Sequence, residues 1–196
     1  MIIIGLTGSI GMGKSETAKM FMAAGAPVFD ADAVVRTLQA KGGKALPLIE
    51  AEFKGVIHNG VLDRQKLGGY VFGNAAALKK LEAIMHPMVQ ALRQAFLDQA
   101  EMTGSKVVVI DEPLLFEMGA QDKCDKIIVV HAPADVQRER VLARDGMTPE
   151  KFADILSKQL PSDEKIARAD YTVETDKGLD HANAQVQNIL KELRGY

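Results

Sequence analysis

The sequence predicts an α/β fold, a five-stranded parallel sheet with helices on both faces. Three observations lead there. Short apolar runs recur at Ile2-Ile3-Ile4, Pro27-Val28-Phe29, Lys106 to Asp111, Lys126 to His131 and Tyr171-Thr172-Val173, with helical periodicity between them. The runs at Val107 to Ile110 and Ile127 to Val130 are apolar throughout, as a parallel strand covered on both faces requires. The first run opens directly into a glycine-rich loop and then a helix.

That loop is Gly8-Ser9-Ile10-Gly11-Met12-Gly13-Lys14-Ser15, which fits G-x-x-x-x-G-K-[ST], the pattern of a phosphate-cradling P-loop. Behind it Ala18, Phe21 and Met22 fall at helical spacing, closed by Gly25. Glycines at 8, 11 and 13 let the backbone turn tightly and approach an oxyanion closely. Inward N–H groups and the positive end of the helix favour the same anion. Lys14 supplies a point charge for β- and γ-phosphates, and Ser15 a hydroxyl for Mg²⁺. Gly8 through Ser15, with Thr17, are the expected phosphate contacts. A chance glycine-rich turn would lack the strand before it and the helix after it.

The chain has 196 residues, enough for one sizeable domain with an inserted subdomain. Lys+Arg number 24 against 26 Asp+Glu, a net charge of −2 that argues against a broad nucleic-acid surface. There is no Trp, so no rich base-stacking platform is expected. Cys124 stands alone, which excludes an internal disulfide and points to a reducing compartment. The apolar start has no basic flank and is interrupted at Gly5, unlike a signal peptide. No stretch approaches a membrane span. A soluble, cytoplasmic protein, monomeric by default, is expected.

The second strand ends in Asp30-Ala31-Asp32, where open α/β sheets place their chemistry. If a helix begins at Asp30, Asp30 is its cap and Asp32 turns toward the cleft; the alternative is that both cap the helix running through Val34, Val35 and Leu38. From Gln39 to Asn74 nothing reads as strand: Lys41-Gly42-Gly43-Lys44 and His58-Asn59-Gly60 are turns, and Asp63 caps a helix. Residues 75–103 read as two helices broken at Pro87, with His86 at the break.

The third strand ends in Asp111, the usual place for a carboxylate that holds Mg²⁺ through water. After the fourth strand, Pro133 opens a helix carrying Arg138, Arg140 and Arg144. Arg140 and Arg144, four apart, are expected on one helical face as a cationic clamp for phosphate. Thr148-Pro149 and Pro161-Ser162 start two short helices of low apolar content, with Gln159 between them; they suit a mobile lid. The last helix carries Leu179, Ala182, Val186, Ile189, Leu190 and Leu193 along one face and should cover the sheet.

No Asn-Lys-x-Asp guanine reader is present and the chain is short for a motor, which leaves a small P-loop kinase. The sequence resembles the dephospho-coenzyme A kinase family over almost its whole length. The resemblance rests on the P-loop, Val28 to Asp32, Gly60 to Arg64 with Leu67 and Val71-Phe72, His86-Pro87, Pro113 to Glu117, Gln137 with Arg140, Arg144-Asp145, and Gln159. It implies ATP-dependent phosphorylation of the ribose 3′-hydroxyl of dephospho-CoA, the last step of CoA synthesis, with Mg²⁺.

The resemblance also implies roles. Lys14 and Ser15 would hold phosphates and Mg²⁺, Asp32 would accept the hydroxyl proton, and Arg140 would stabilise the transferring group with help from Arg144. Arg64, His86, Leu115 and Glu117, with Asp32, would meet the acceptor. The implied organisation is a core of about 1–32, 105–136 and 169–196, a helical acceptor-binding insertion of about 33–104, and a lid of about 137–168. Two positions depart from the family. Glu112 stands beside the metal carboxylate, and Thr175-Asp176 stand where an Asn near the adenine is usual. The competing readings are another small P-loop kinase acting on a nucleotide or sugar, and a nucleotide-binding protein without turnover.

Overall fold

The computed structural model describes residues 1–195. Its contacts divide the chain into two units, Met1–Phe29 joined with the chain from Ala100 onward, and Asp30–Gln99.

The first unit is built on the expected sheet. Strands β1 (Ile2–Thr7), β2 (Val28–Asp30), β5 (Val107–Asp111), β6 (Lys126–His131) and β7 (Tyr171–Glu174) lie in the order β2-β5-β1-β6-β7. β1 is central and parallel to both neighbours, with Ile4 opposite Val109 on one side and Lys126 on the other. The N–H of Val109 donates to the carbonyl of Pro27 at 2.9 Å, which seats the start of β2 beside β5. On one face Ile4, Leu6, Val109, Ile128 and Val130 pack with Phe21 of α1 (Lys14–Ala23) and Val186 and Leu190 of α9 (Leu179–Arg194). Val108 and Ile110, which alternate to the other face, are equally buried, so both faces are covered and the all-apolar β5 is explained. Helix α6 (Ala134–Leu142) follows β6; α7 (Pro149–Ser157) and α8 (Ser162–Ile166) precede β7. Thr148 caps α7 as expected, accepting the N–H of Lys151 at 3.3 Å.

The second unit has its own core of Leu38, Leu46, Ile49, Phe53, Val56, Leu62, Leu67 and Met85. Asp30 caps α2 (Ala31–Leu38), accepting the N–H of Ala33 at 2.7 Å, and Asp63 caps α4 (Arg64–Val71), accepting that of Lys66 at 3.0 Å. Between them lies α3 (Leu46–Glu52). Two expectations fail here. The turn at Asn59-Gly60 is real, with φ of 52° and 75°, but its flanks pair as a hairpin of β3 (Ile57–His58) and β4 (Val61–Leu62). Both central residues at positive φ match the twist of paired strands, so a two-residue hairpin forms where only a turn was expected.

Pro87 also fails to break its helix: α5 runs unbroken over Ala75–Met102. Pro87 and Ala83, whose carbonyl loses its helical partner, are both exposed, so the break in the ladder lies on the solvent side of the helix.

Candidate active site

The loop that joins β1 to α1 takes its shape from Gly11 and Gly13, at φ of 80° and 94°, where an L side chain is strained. Space is as restrictive as angle. A Cβ on Gly11 would lie 2.5 Å from Val141 Cγ2, and one on Gly13 would lie 3.0 Å from Thr175 Oγ1. Gly8 needs its small size for close approach alone, since a Cβ there would meet the Val130 carbonyl oxygen at 2.8 Å. In the first turn of α1 the N–H groups of Glu16 and Thr17 already donate to the Gly13 carbonyl at 3.1 Å, which leaves those of Lys14 and Ser15, at the very start of the helix, to face an anion.

Lys14 Nζ is ion-paired with Asp111 Oδ1, and Asp111 is only 3% exposed at the carboxyl end of β5. The loop lysine and the strand-end carboxylate are thus brought together. Ser15 is exposed on the first turn of α1. Thr17, by contrast, is fully buried and its hydroxyl donates to the Gly13 carbonyl at 3.2 Å, so it shapes the loop.

Arg140 is held differently from a free clamp. It donates from Nη1 to Thr175 Oγ1 at 2.9 Å and from Nη2 to the Thr175 carbonyl at 2.7 Å. The Thr175 hydroxyl donates in turn to the Met12 carbonyl at 2.8 Å. Arg140 is therefore fastened to the loop through Thr175. Arg144 does not share its helical face, because α6 ends at Leu142; Arg144 is exposed in the turn beyond.

Removing the hydroxyl alone tests this fastening. Thr175→Val is expected to lower kcat/KM about 10-fold, as one charge-assisted hydrogen bond is lost, with Thr175→Ser near wild type. Steady-state kinetics of the two variants checks it.

Two acceptor candidates lie within the first unit. Leu115 is 0% exposed and packs against Gly5, where an added Cβ would touch its Cδ2 at 2.9 Å. Glu117 Oε1 accepts the Leu160 N–H at 2.8 Å and pairs with Lys165 Nζ at 2.8 Å, Lys165 being 0% exposed. Burial opposes ionisation of Glu117, yet the Lys165 and Leu160 hydrogen bonds outweigh it and hold the carboxyl below its ordinary value. A depressed carboxylate stabilises the fold above its unfolded value, near 4.5, and loses that contribution as pH falls through the folded value. The stability gap between wild type and Glu117→Gln is therefore expected to be full at neutral pH and to close below about pH 4. Urea unfolding across an acid pH series measures it.

Gln137 and Gln159, matched in sequence without a role, both reach the loop at Ile10. Gln137 Nε2 donates to the Ile10 carbonyl at 2.8 Å, and Gln159 Oε1 accepts the Ile10 N–H at 3.1 Å. Ile10 was expected to point its N–H at phosphate; here that donor has a side-chain partner. Both glutamines also line a cavity of about 390 Å³ with Ser9, Met12, His131 and Leu160.

In the second unit, Asp32 lies in the first turn of α2, Arg64 begins α4 and His86 stands on α5 before Pro87. All three are exposed.

Among the described residues no cluster of three or more His, Cys, Asp or Glu could cage a metal. Mg²⁺ held with a nucleotide needs no such cage, because waters and phosphate oxygens fill most of its octahedron. One hydroxyl at Ser15 and one carboxylate at Asp111 are the donor types that arrangement takes.

A parallel sheet whose central strand feeds a glycine loop, with the loop lysine on a strand-end carboxylate, is the frame of the small P-loop kinases. Comparison with known proteins narrows the class. The family model for dephospho-CoA kinase matches residues 2–181. A dephospho-CoA kinase of Mesorhizobium japonicum is 55% identical over 195 residues, covering 100% of this chain and 98% of that protein. One from Rhodopseudomonas palustris is 51% identical over 191 residues, 97% of this chain and 95% of the relative. The solved structure of TT1252 from Thermus thermophilus superposes with a TM-score of 0.84 at 35% identity, covering 98% and 97% of the two chains. A dephospho-CoA kinase structure from Campylobacter jejuni, 23% identical with a TM-score of 0.62 over 97% and 96%, shares the fold. The chain belongs to the dephospho-CoA kinase family.

Proposed function

We infer that this chain transfers the γ-phosphoryl group of ATP to the ribose 3′-hydroxyl of dephospho-CoA, giving CoA and ADP. The observation that carries the reading is the P-loop with its Lys14–Asp111 pair, set in a chain that is 55% identical over its whole length to a dephospho-CoA kinase.

In this reading Lys14 and the N–H groups at the very start of α1 hold the β- and γ-phosphates, and Arg140 and Arg144 meet charge on the transferring group. Ser15 and, through water, Asp111 hold Mg²⁺, which neutralises phosphate charge when bound. Asp32 orients the 3′-hydroxyl and takes its proton late, since a sugar hydroxyl does not ionise at neutral pH. Arg64 and His86 contact the acceptor. The insertion of about 33–104, which overlaps most of the second unit, binds the acceptor, and about 137–168 is the lid over the phosphates. The protein works as a soluble, cytoplasmic monomer without nucleic acid or membrane. Among the described residues no helix is long and apolar enough to cross a membrane.

A coupled ADP-release assay with dephospho-CoA, AMP, adenosine and a hexose as acceptors tests the reading. Turnover is expected with dephospho-CoA and not with the others. Turnover of another acceptor in place of dephospho-CoA would sink it.

A further inference from the structure

Ile10 is the point where the phosphate loop meets the segments expected to form the lid. Both polar groups of one loop residue are taken by side chains from far along the chain, its carbonyl by Gln137 of α6 at 2.8 Å and its N–H by Gln159 at 3.1 Å. Neither glutamine is a free surface side chain. Gln137 is 6% exposed, and its backbone carbonyl lies only 3.1 Å from where a Cβ on Gly11 would stand, so α6 presses directly on the loop.

Gln159 lies between α7 and α8, a stretch without regular secondary structure. Its immediate neighbour Leu160 gives its N–H to Glu117 Oε1 at 2.8 Å. The same carboxylate pairs with the wholly buried Lys165 of α8, whose Nζ also reaches the Pro113 carbonyl at 3.4 Å. Pro113 accepts a second hydrogen bond, from the β1 hydroxyl of Thr7 at 3.1 Å. A continuous chain of polar contacts thus runs from the end of β1 through Pro113, Lys165 and Glu117 to Leu160, and from Gln159 back to the loop.

We propose that Gln137 and Gln159 clamp the Ile10 peptide to preorganise the phosphate loop, and that Glu117 with Lys165 is the positioning pair that seats Gln159. The clamp fixes the loop before nucleotide arrives, so less ordering is left to be done by the binding step. Its consequence belongs to ATP affinity rather than to the acceptor. Glu117 then acts through Gln159 and makes no acceptor contact, a different role from the one its sequence position implied.

The inference rests on the ATP-dependent reading, and its test is arranged to stand apart from the identity of the acceptor. ATP binding is titrated calorimetrically without acceptor, for wild type, Gln159→Met, Glu117→Gln and the two combined. Methionine keeps the length of the side chain and removes the oxygen that accepts the Ile10 N–H. Gln159→Met is expected to weaken ATP binding about 10-fold, the cost of leaving a part-buried donor unmade. Glu117→Gln, which displaces Gln159 only in part, is expected to weaken it about 3-fold, and the double variant to match Gln159→Met alone, because the two act in series.

Kinetics should show the same rise in KM for ATP, with kcat and KM for dephospho-CoA within about 3-fold of wild type. Should Glu117→Gln unfold on account of Lys165, Glu117→Gln with Lys165→Met removes both charges and keeps an acceptor for Leu160. ATP affinity unchanged in Gln159→Met overturns the clamp. Additive effects in the double variant, or a raised KM for dephospho-CoA in Glu117→Gln, overturn the positioning role. A protein that binds ATP as expected yet ignores dephospho-CoA would overturn the acceptor assignment and leave the clamp standing.

Discussion

Asp32→Asn is expected to lower kcat by about 10²–10⁴-fold while ATP affinity stays near wild type. Asp32 sits two residues past the end of β2, in the first turn of a helix whose cap is Asp30. The cap keeps its own carboxylate on the Ala33 N–H, and the neighbouring Asp32 is exposed. Asparagine is isosteric and preserves the helix, so stability should hold. What it cannot do is accept a proton. Because the transition state of phosphoryl transfer is loose, the loss falls on orientation of the hydroxyl and late proton removal, not on nucleotide binding. Pre-steady-state and steady-state kinetics, beside an ATP titration, separate the terms. Weakened ATP binding with unchanged turnover would refute the assignment of Asp32 as base.

Lys14→Ala is expected to damage binding and turnover together, with kcat/KM for ATP down about 10²–10³-fold or more. It should also cost stability. Lys14 Nζ pairs with Asp111, whose side chain is 5% exposed, and removing one partner of such a buried pair costs about 3 kcal/mol. A second variant separates the two losses. Adding Asp111→Asn to Lys14→Ala removes the buried charge as well, so urea unfolding should recover most of the stability while activity stays low. Activity that returned with stability would show that Lys14 serves the fold alone.

Much of this molecule is local enough to be read from residues in order. The phosphate loop is one contiguous stretch whose glycines, lysine and serine carry their own geometry, and β1 and α1 flank it as expected. The caps at Asp30, Asp63 and Thr148 each act on an N–H three residues away. The all-apolar strands β5 and β6 announced a sheet covered on both faces. Where local reading failed, a local rule was overruled by surroundings. Pro87 stayed helical where the break in the ladder lies among exposed residues, and Asn59-Gly60 closed a hairpin because its flanks found each other.

The sequence by itself determined the fold class, the phosphate loop, the carboxylates at 32 and 111, and the arginines that follow β6. Only the tertiary structure decided which partners several side chains and loop groups hold. Arg140 reads as a free clamp until Thr175, 35 residues on, takes both of its guanidinium arms. Glu117 matches an acceptor position in sequence, and the fold adds the partners of its carboxylate, Lys165 and the Leu160 N–H. Ile10 reads as a phosphate donor until Gln137 and Gln159 close on its peptide from 127 and 149 residues away. Hydrogen-bond donors and acceptors of a loop are visible in a sequence, but their partners come from sheet order and the return of the chain. Those are set by burial of apolar faces, which carries no local mark of which polar groups it will bring together.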